Sequence, residues 1–242
     1  MSAPPNFGFV EYVDGEAICE GYFHRRAKAG EKRPCVLVAH DWVGQTEAVR
    51  EGLASLAEAG FVAFAMDIYG KGVRGDPAAD NSALMAPYLA DRAKLRRRLL
   101  AAVEAAKRQD GVDPERLAVI GYCFGGLCAL DVARSGAKGV KAVASIHGLF
   151  TRPDLGPQGP ISAKVLALHG WDDPMVKPEA IKALADELDA AKADWQIHAF
   201  GHTMHGFTSK GANNPSAGIL YSEAADRRSR AILADFLAEA LA

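Results

Sequence analysis

Short, mostly apolar runs alternate with amphipathic stretches along most of this chain. Pro34 to His40, Phe61 to Met66, Leu117 to Cys123, Val140 to Ile146, Lys164 to His169 and Trp195 to Phe200 have strand length. Their near-continuous apolar character predicts strands buried on both faces. The intervening stretches repeat with helical spacing. Thr46 to Ala59 places Val49, Leu53, Leu56 and Ala57 on one side and stops at Gly60. Leu84 to Arg108 reads as one long helix with Leu95, Leu99, Val103 and Ala106 inward, and its run Arg92 to Arg98 as a solvated face. Leu127 to Arg134, Pro178 to Ala191, and Ser222 to Leu241 with Ile232, Phe236 and Leu237 complete the helices. Ahead of this rhythm, Phe9 to Val13 and Ala17 to Phe23 flank Asp14-Gly15, which predicts an antiparallel hairpin closed by a type I′ turn. Lys71 to Ala83 reads as a loop. Strands alternating with helices imply an α/β protein with a mostly parallel sheet and helices on both faces. No linker or internal repeat divides the chain, so residues 1–242 are expected to form a single domain.

Composition narrows the function. At 49% hydrophobic and 24% charged residues, the chain is ordinary for a globular protein. A formal charge of -2 offers no electrostatic footprint for nucleic acid. No apolar run reaches the ~20 residues of a membrane helix, and the N-terminus shows no basic-then-apolar leader pattern. The four cysteines (Cys19, Cys35, Cys123, Cys128) form no C-x-x-C pair and no metal spacing. A cytoplasmic protein with free thiols, no metal, no cofactor and a small-molecule partner is the expectation, as a monomer or small homo-oligomer.

In a parallel sheet, ligands sit at the carboxyl ends of the strands. The polar residues falling there are His40 and Asp41, Asp67, Cys123, His147, Asp172 and Asp173, and His202 and His205. Among them, Cys123 stands within Gly121-Tyr122-Cys123-Phe124-Gly125-Gly126, between an apolar strand and a helical pattern. A strand turning abruptly into a helix favours φ > 0 at its tip, and the flanking glycines remove the side chains that would clash. This is the nucleophile-elbow layout with cysteine for serine. The following helix N-terminus favours a thiolate at the tip. A nucleophile needs a base, and the base an orienting acid. Cys123, then Asp172 or Asp173, then His202 or His205, follow in the chain order of α/β-hydrolases.

With these pieces in hand the chain resembles the dienelactone hydrolase family, a cysteine branch of the α/β-hydrolase fold. The matching motifs are the Gly121–Gly126 elbow, His169-Gly170-Trp171-Asp172-Asp173-Pro174-Met175-Val176, His205-Gly206-Phe207, Ala224 to Arg228, His40 to Gly44 and Asp67 to Gly72. The resemblance implies Asp173 as the acid, three residues after Gly170 and three before Val176. It implies His205 as the base, since a small residue and Phe207 follow it. It implies an oxyanion hole from the backbone N–H groups of Phe124 and Trp42. The connection from Leu149 to Ser162 is too short for a cap domain, so an open pocket is expected. Two positions depart from the family pattern. Asp41 stands where a glutamate contacts the resting thiol, and Ser209 stands where an arginine holds a substrate carboxylate. Lys210 flanks Ser209, and Arg74, Arg92 and Arg96 are the arginines that could supply a cation instead.

The expected activity is hydrolysis of small esters or lactones through a thioester on Cys123. Trp42, Phe124, Phe150, Trp171 and Phe207 are candidate apolar walls of the pocket. Three rivals compete: a non-catalytic binding protein on the same fold, a thiol redox protein and a dinucleotide fold. The first would be expected to lose a triad member, and the second needs a resolving cysteine better placed than Cys128. The third wants glycine where Cys123 stands.

Overall fold

The computed structural model describes residues 6–26 and 30–242, so the leader reading of Met1 to Pro5 lies outside the described residues. In chain order, the hairpin β1 (Phe7–Val13) and β2 (Ile18–His24) precedes β3 (Arg33–Ala39), α1 (Glu47–Glu58) and β4 (Val62–Ala65). Next come α2 (Ser82–Ala90), α3 (Arg92–Lys107), β5 (Val112–Tyr122), α4 (Phe124–Ser135) and β6 (Val140–Ile146). The chain continues through β7 (Lys164–Gly170), α5 (Pro178–Ala190), β8 (Trp195–Phe200), the small pair β9 (Asn213–Asn214) and β10 (Ile219–Leu220), and α6 (Glu223–Ala240).

Eight strands form one sheet in the order β1-β2-β4-β3-β5-β6-β7-β8. From β4 to β8 every pairing is parallel; the hairpin joins β4 antiparallel, at Tyr22↔Ala65 and Phe23↔Phe64. The period of two sorts the strand residues into two layers. Leu117 and Val119 of β5 pack with Leu95 and Leu99 of α3, Leu127 and Leu130 of α4, and Leu184 and Leu188 of α5. Ala118 and Ile120, their alternates, join Leu53 of α1 and Phe236 and Leu237 of α6 on the other face. Among the described residues no helix is long and apolar enough to cross a membrane.

The structure corrects four local expectations. The hairpin connection is a four-residue turn, Asp14 to Ala17, because Val13 pairs with Ile18. The Asp14 carboxylate accepts the N–H groups of Glu16 and Ala17, at 2.9 and 2.8 Å, and so shapes the turn itself. The long helix is two helices. Asp91 ends α2 and caps α3, accepting the Lys94 N–H at 2.8 Å, a role its short carboxylate fills better than a helix interior. β5 begins at Val112 rather than Leu117, because Arg33 pairs with Val112 before a shift in register.

The arginine run is not uniformly solvated. Arg98 is buried against Asp14 at 2.6 Å and donates to the Ile68 carbonyl at 2.8 Å. Arg92 forks onto Asp131, with its closest contact 2.7 Å. Arg97, between them, pairs with Glu16 in the open. Periodicity along one helix does not reveal acids brought up from distant elements.

Candidate active site

β5 ends at Tyr122 and α4 begins at Phe124, so Cys123 alone makes the turn, with φ 56° and ψ −118°. Its glycines are needed for space. A Cβ on Gly121 would lie 2.0 Å from the Gly125 carbonyl oxygen, and one on Gly125 would lie 2.2 Å from the Ala39 carbonyl oxygen. These backbones approach closely because α4 packs directly on β3, β5 and β6. Cys123 is half-buried, whereas Cys19, Cys35 and Cys128 are buried thiols of the core. Burial pushes the Cys128 thiol well up, which keeps it a protonated packing group.

Asp173 follows β7 in a tight turn. Its Oδ1 accepts the Met175 N–H at 2.8 Å, and its Oδ2 accepts from His205 Nδ1 at 2.8 Å. Both side chains are almost wholly buried. The other ring nitrogen, Nε2, is buried and completes no hydrogen bond of standard geometry. The Cys123 sulfur is nevertheless near enough to act on the ring. The two observations describe a facing pair whose contact is looser than a full hydrogen bond, a common state before substrate binds. Burial alone would disfavour the imidazolium. The Asp173 hydrogen bond and the hydrogen-bonding and charge of the Cys123 sulfur outweigh it and raise His205 to about 10.

The structure thus brings Cys123, His205 and Asp173 together at the carboxyl ends of β5 and β7. Asp172 and His202 lie apart from them at the surface, 4.0 Å from each other, with the His202 side chain fully exposed.

Phe124 opens α4, where the first N–H groups of a helix have no intrahelical acceptor. Trp42 lies in the loop after β3, and its peptide is fixed by the Tyr69 hydroxyl, which donates to the Trp42 carbonyl at 3.0 Å. Tyr69 is itself stacked on Phe124 and held at its carbonyl by the Tyr88 hydroxyl, 3.1 Å away. His40 Nδ1 meets the Asp41 carbonyl at 2.7 Å, and its Nε2 accepts the Ile68 N–H at 3.1 Å. Burial, against the pull of the Asp41 carbonyl, lowers His40 to about 4, so the ring is a neutral brace. Tyr69 and Tyr88 were invisible as site residues in the sequence. Tyr69 sat inside a recognised motif, but nothing local told which backbone its hydroxyl would reach.

Several expected positions sit elsewhere. The Asp41 carboxylate accepts the Val43 N–H at 2.8 Å, folding back on its own loop, and among the described residues it bonds no thiol. Burial pushes this carboxyl up, against that N–H. Phe207 is fully buried against Phe200 and His147, core rather than wall, because the apolar layer beneath β7 and β8 takes it. Phe124 is likewise wholly buried. Phe150 is buried against His169, with ring centroids 5.7 Å apart. Trp171 is 49% exposed, a rim residue. Arg74 is held by the Gln45 carbonyl and by Asp67, Arg92 by Asp131, and Arg96 reaches the Ser135 carbonyl. Among the described residues no group of three or more His, Cys, Asp or Glu is placed to hold a metal ion.

Residues 19–241 match the dienelactone hydrolase family. The chain belongs to that family. Membership makes it a carboxylic ester or lactone hydrolase of the α/β-hydrolase fold acting on a small molecule. An uncharacterised Caenorhabditis elegans protein is 35% identical over 151 residues, 62% of this chain and 96% of its own length. A protein of Aquifex aeolicus carrying the name carboxymethylenebutenolidase is 27% identical over 205 residues, 83% of this chain and 87% of its own. Among solved structures, a dienelactone hydrolase-like promiscuous phosphotriesterase from metagenomic libraries superposes with a TM-score of 0.89 at 35% identity, covering 98% of both chains.

Proposed function

We propose that this dienelactone hydrolase-family enzyme cleaves uncharged esters or lactones through a thioester on Cys123, with His205 as base and Asp173 as its orienting acid. The observation that carries this reading is the buried His205–Asp173 bond of 2.8 Å, set with the free face of the imidazole toward the elbow sulfur. In the resting site the raised His205 holds a proton beside the sulfur, which favours the thiolate–imidazolium pair. The thiolate attacks the carbonyl carbon, and the negative oxygen that develops is met by the N–H groups of Phe124 and Trp42. The C–O bond breaks, and the imidazolium gives its proton to the departing alkoxide. In a lactone that alkoxide stays tethered to the acyl chain. Once the sulfur is in a thioester its charge is gone, one support of the imidazolium disappears, and His205 becomes a base able to deprotonate water. The hydroxide so formed breaks the thioester and returns the thiolate.

The preference for uncharged substrates follows from the engaged cations. Ser209 stands where the family pattern has an arginine, and Arg74, Arg92 and Arg96 each serve another partner. The test is hydrolysis of p-nitrophenyl acetate and of a lactone, each with and without a carboxylate group, by the parent, by Cys123→Ala and after thiol alkylation. Turnover lost on alkylation and in Cys123→Ala is expected. Turnover that survives both sinks the cysteine mechanism, and a marked preference for carboxylated members sinks the uncharged-substrate reading. Binding without turnover would return the protein to the non-catalytic alternative. A phosphotriester belongs in the same panel, because the metagenomic relative at 35% identity is described by that activity.

A further inference from the structure

The sheet ends on β1, and this edge is bare. Among the described residues β1 pairs only with β2. Phe7, Phe9 and Val13 of β1 and Ile18 of β2 each leave more than half of their surface exposed. The period of two puts Phe7, Phe9, Glu11 and Val13 on one face of the strand. Phe9 meets the Tyr22 ring of β2 edge-on at 5.0 Å, and the Arg50 guanidinium of α1 stands over the Phe9 ring at 5.6 Å. Exposed sheet edges are usually blunted by lysine, proline or a bulge. β1 has neither lysine nor proline, and it pairs with β2 without a shift in register. β8, at the opposite edge, exposes no large apolar side chain among the described residues. Contiguous apolar exposure at an unblunted edge marks an association surface.

The hydrogen bonds fix which backbone groups face outward. At one end of the hairpin the Arg25 N–H donates to the Asn6 carbonyl at 2.7 Å, and at the other the Asp14 N–H donates to the Ala17 carbonyl at 3.3 Å. Bonded residues alternate along an antiparallel ladder. Gly8, Val10 and Tyr12 therefore turn their backbone groups toward β2, and Phe7, Phe9, Glu11 and Val13 turn theirs to the open edge. An antiparallel copy of β1 matches this edge about a two-fold axis at Val10. Phe7 then faces Val13 of the second copy, and Phe9 faces its Glu11. Every outward residue meets an outward partner, and each such pair exchanges two hydrogen bonds. The charges also agree. Glu11 and Glu20 share Lys71, whereas Arg50 donates to the Gln45 carbonyl and forms no ion pair among the described residues. The pairing brings Glu11 of each copy to the Phe9–Arg50 corner of the other. An axis at Glu11 would oppose like charges, and one at Phe9 would leave Val13 without a partner in the opposite strand.

We propose that two copies of this chain associate edge to edge through β1, in the register centred on Val10, so that one continuous sheet runs through both. The same patch serves on each copy, so the contact closes on itself and ends at a dimer. The proposal stands independently of the hydrolase reading.

Sedimentation velocity across the micromolar range reads the mass, expected at twice the 25.7 kDa of one chain. Phe9→Pro removes an outward N–H and spares the β1–β2 bonds, since an edge strand tolerates proline at such a position. It is expected to weaken the dimer at least about tenfold with an unchanged circular dichroism spectrum. Arg50→Glu should weaken it on the order of tenfold, and adding Glu11→Arg should recover most of that loss. The register is read separately by oxidative cross-linking in a Cys123→Ala background, where the remaining native thiols are buried. The two Val10 residues form a non-hydrogen-bonded pair with Cα atoms about 4.5 Å apart, within disulfide reach. Val10→Cys is expected to give a covalent dimer on a non-reducing gel. Phe7→Cys is not, because the two positions lie at opposite ends of the paired strands. A monomer throughout the range, a mass above the dimer, or a dimer that cross-links through position 7 but not 10 overturns the proposal. So does a dimer indifferent to both Phe9→Pro and Arg50→Glu. If Phe9→Pro fails to fold, the cross-linking decides alone.

Discussion

Arg97 and Arg98 are adjacent in one helix, yet their loss should cost very different amounts. Arg98 lies with 2% of its side chain exposed, its Nε 2.6 Å from an Asp14 oxygen that is itself inaccessible. Arg98→Met keeps the aliphatic stem but strands the Asp14 carboxylate and the Ile68 carbonyl, to which Arg98 donates at 2.8 Å. Removing one partner of a buried pair costs about 3–5 kcal/mol. For 242 residues, an unfolding entropy of roughly 2.1 cal/mol/K per residue gives about 0.5 kcal/mol/K, so Tm should drop by about 6–10 °C. Arg97 pairs with Glu16 with 40% and 66% of the side chains exposed. Arg97→Met removes a pair worth about 1 kcal/mol or less and should therefore move Tm by about 2 °C or less. Differential scanning calorimetry of both variants makes the comparison. Asp14→Asn with Arg98→Met should recover at least about 1 kcal/mol of the summed single losses, since no lone charge remains buried. Equal Tm losses at 97 and 98, or a strictly additive double variant, would refute the reasoning.

The same pair sets a pH signature. Burial alone would raise the Asp14 carboxyl, but the Arg98 hydrogen bond and the Ala17 and Glu16 N–H groups bring it down to about 2. A carboxyl lowered by folding stabilises the fold fully above its ordinary value of 3.8 and loses that contribution as pH falls through about 2. The stability gap between parent and Arg98→Met should narrow across that interval.

Three further outcomes are expected. Asp173→Asn should leave KM nearly unchanged and lower kcat on the order of 10³–10⁴-fold, because the imidazole loses its orienting acceptor; stopped-flow release of p-nitrophenol reads it. His205, raised from 6.5 to about 10, contributes stability that is complete below about pH 6.5 and fades as pH rises through 10. The difference in urea stability between parent and His205→Gln should shrink from pH 7 to pH 10, and a flat difference would contradict the assignment. Gly125→Ala drives a methyl to 2.2 Å from the Ala39 carbonyl and should cost about 3 kcal/mol or more in denaturant melts.

The strand runs were legible because each lies in a sheet covered on both sides, so its apolar character is local. Cys123, and the pairs Asp172 or Asp173 and His202 or His205, could be named because each falls just past a strand end, where the order of elements brings them to one edge; the choice of Asp173 and His205 within those pairs came from the family resemblance. What stayed hidden depends on distant pairings. The burial of Arg92 and Arg98 rests on Asp131 and Asp14, 39 and 84 residues away. The break at Asp91 turns on one carboxylate choosing the Lys94 N–H over a helical interior. The inward position of Phe207 follows from the Phe200 and His147 rings it packs between.

The backbone at Cys123 sits at φ 56°, where glycine is at ease and a side chain costs about 1–3 kcal/mol. Against a total stability of about 5–15 kcal/mol, that is a sizeable share committed to a single atom of sulfur. On the proposed mechanism, selection for a hardier fold and selection for turnover therefore push position 123 in opposite directions. A lineage released from the need for catalysis would be expected to drift toward glycine there, while the neighbouring glycines at 121 and 125, fixed by sterics alone, stayed as they are.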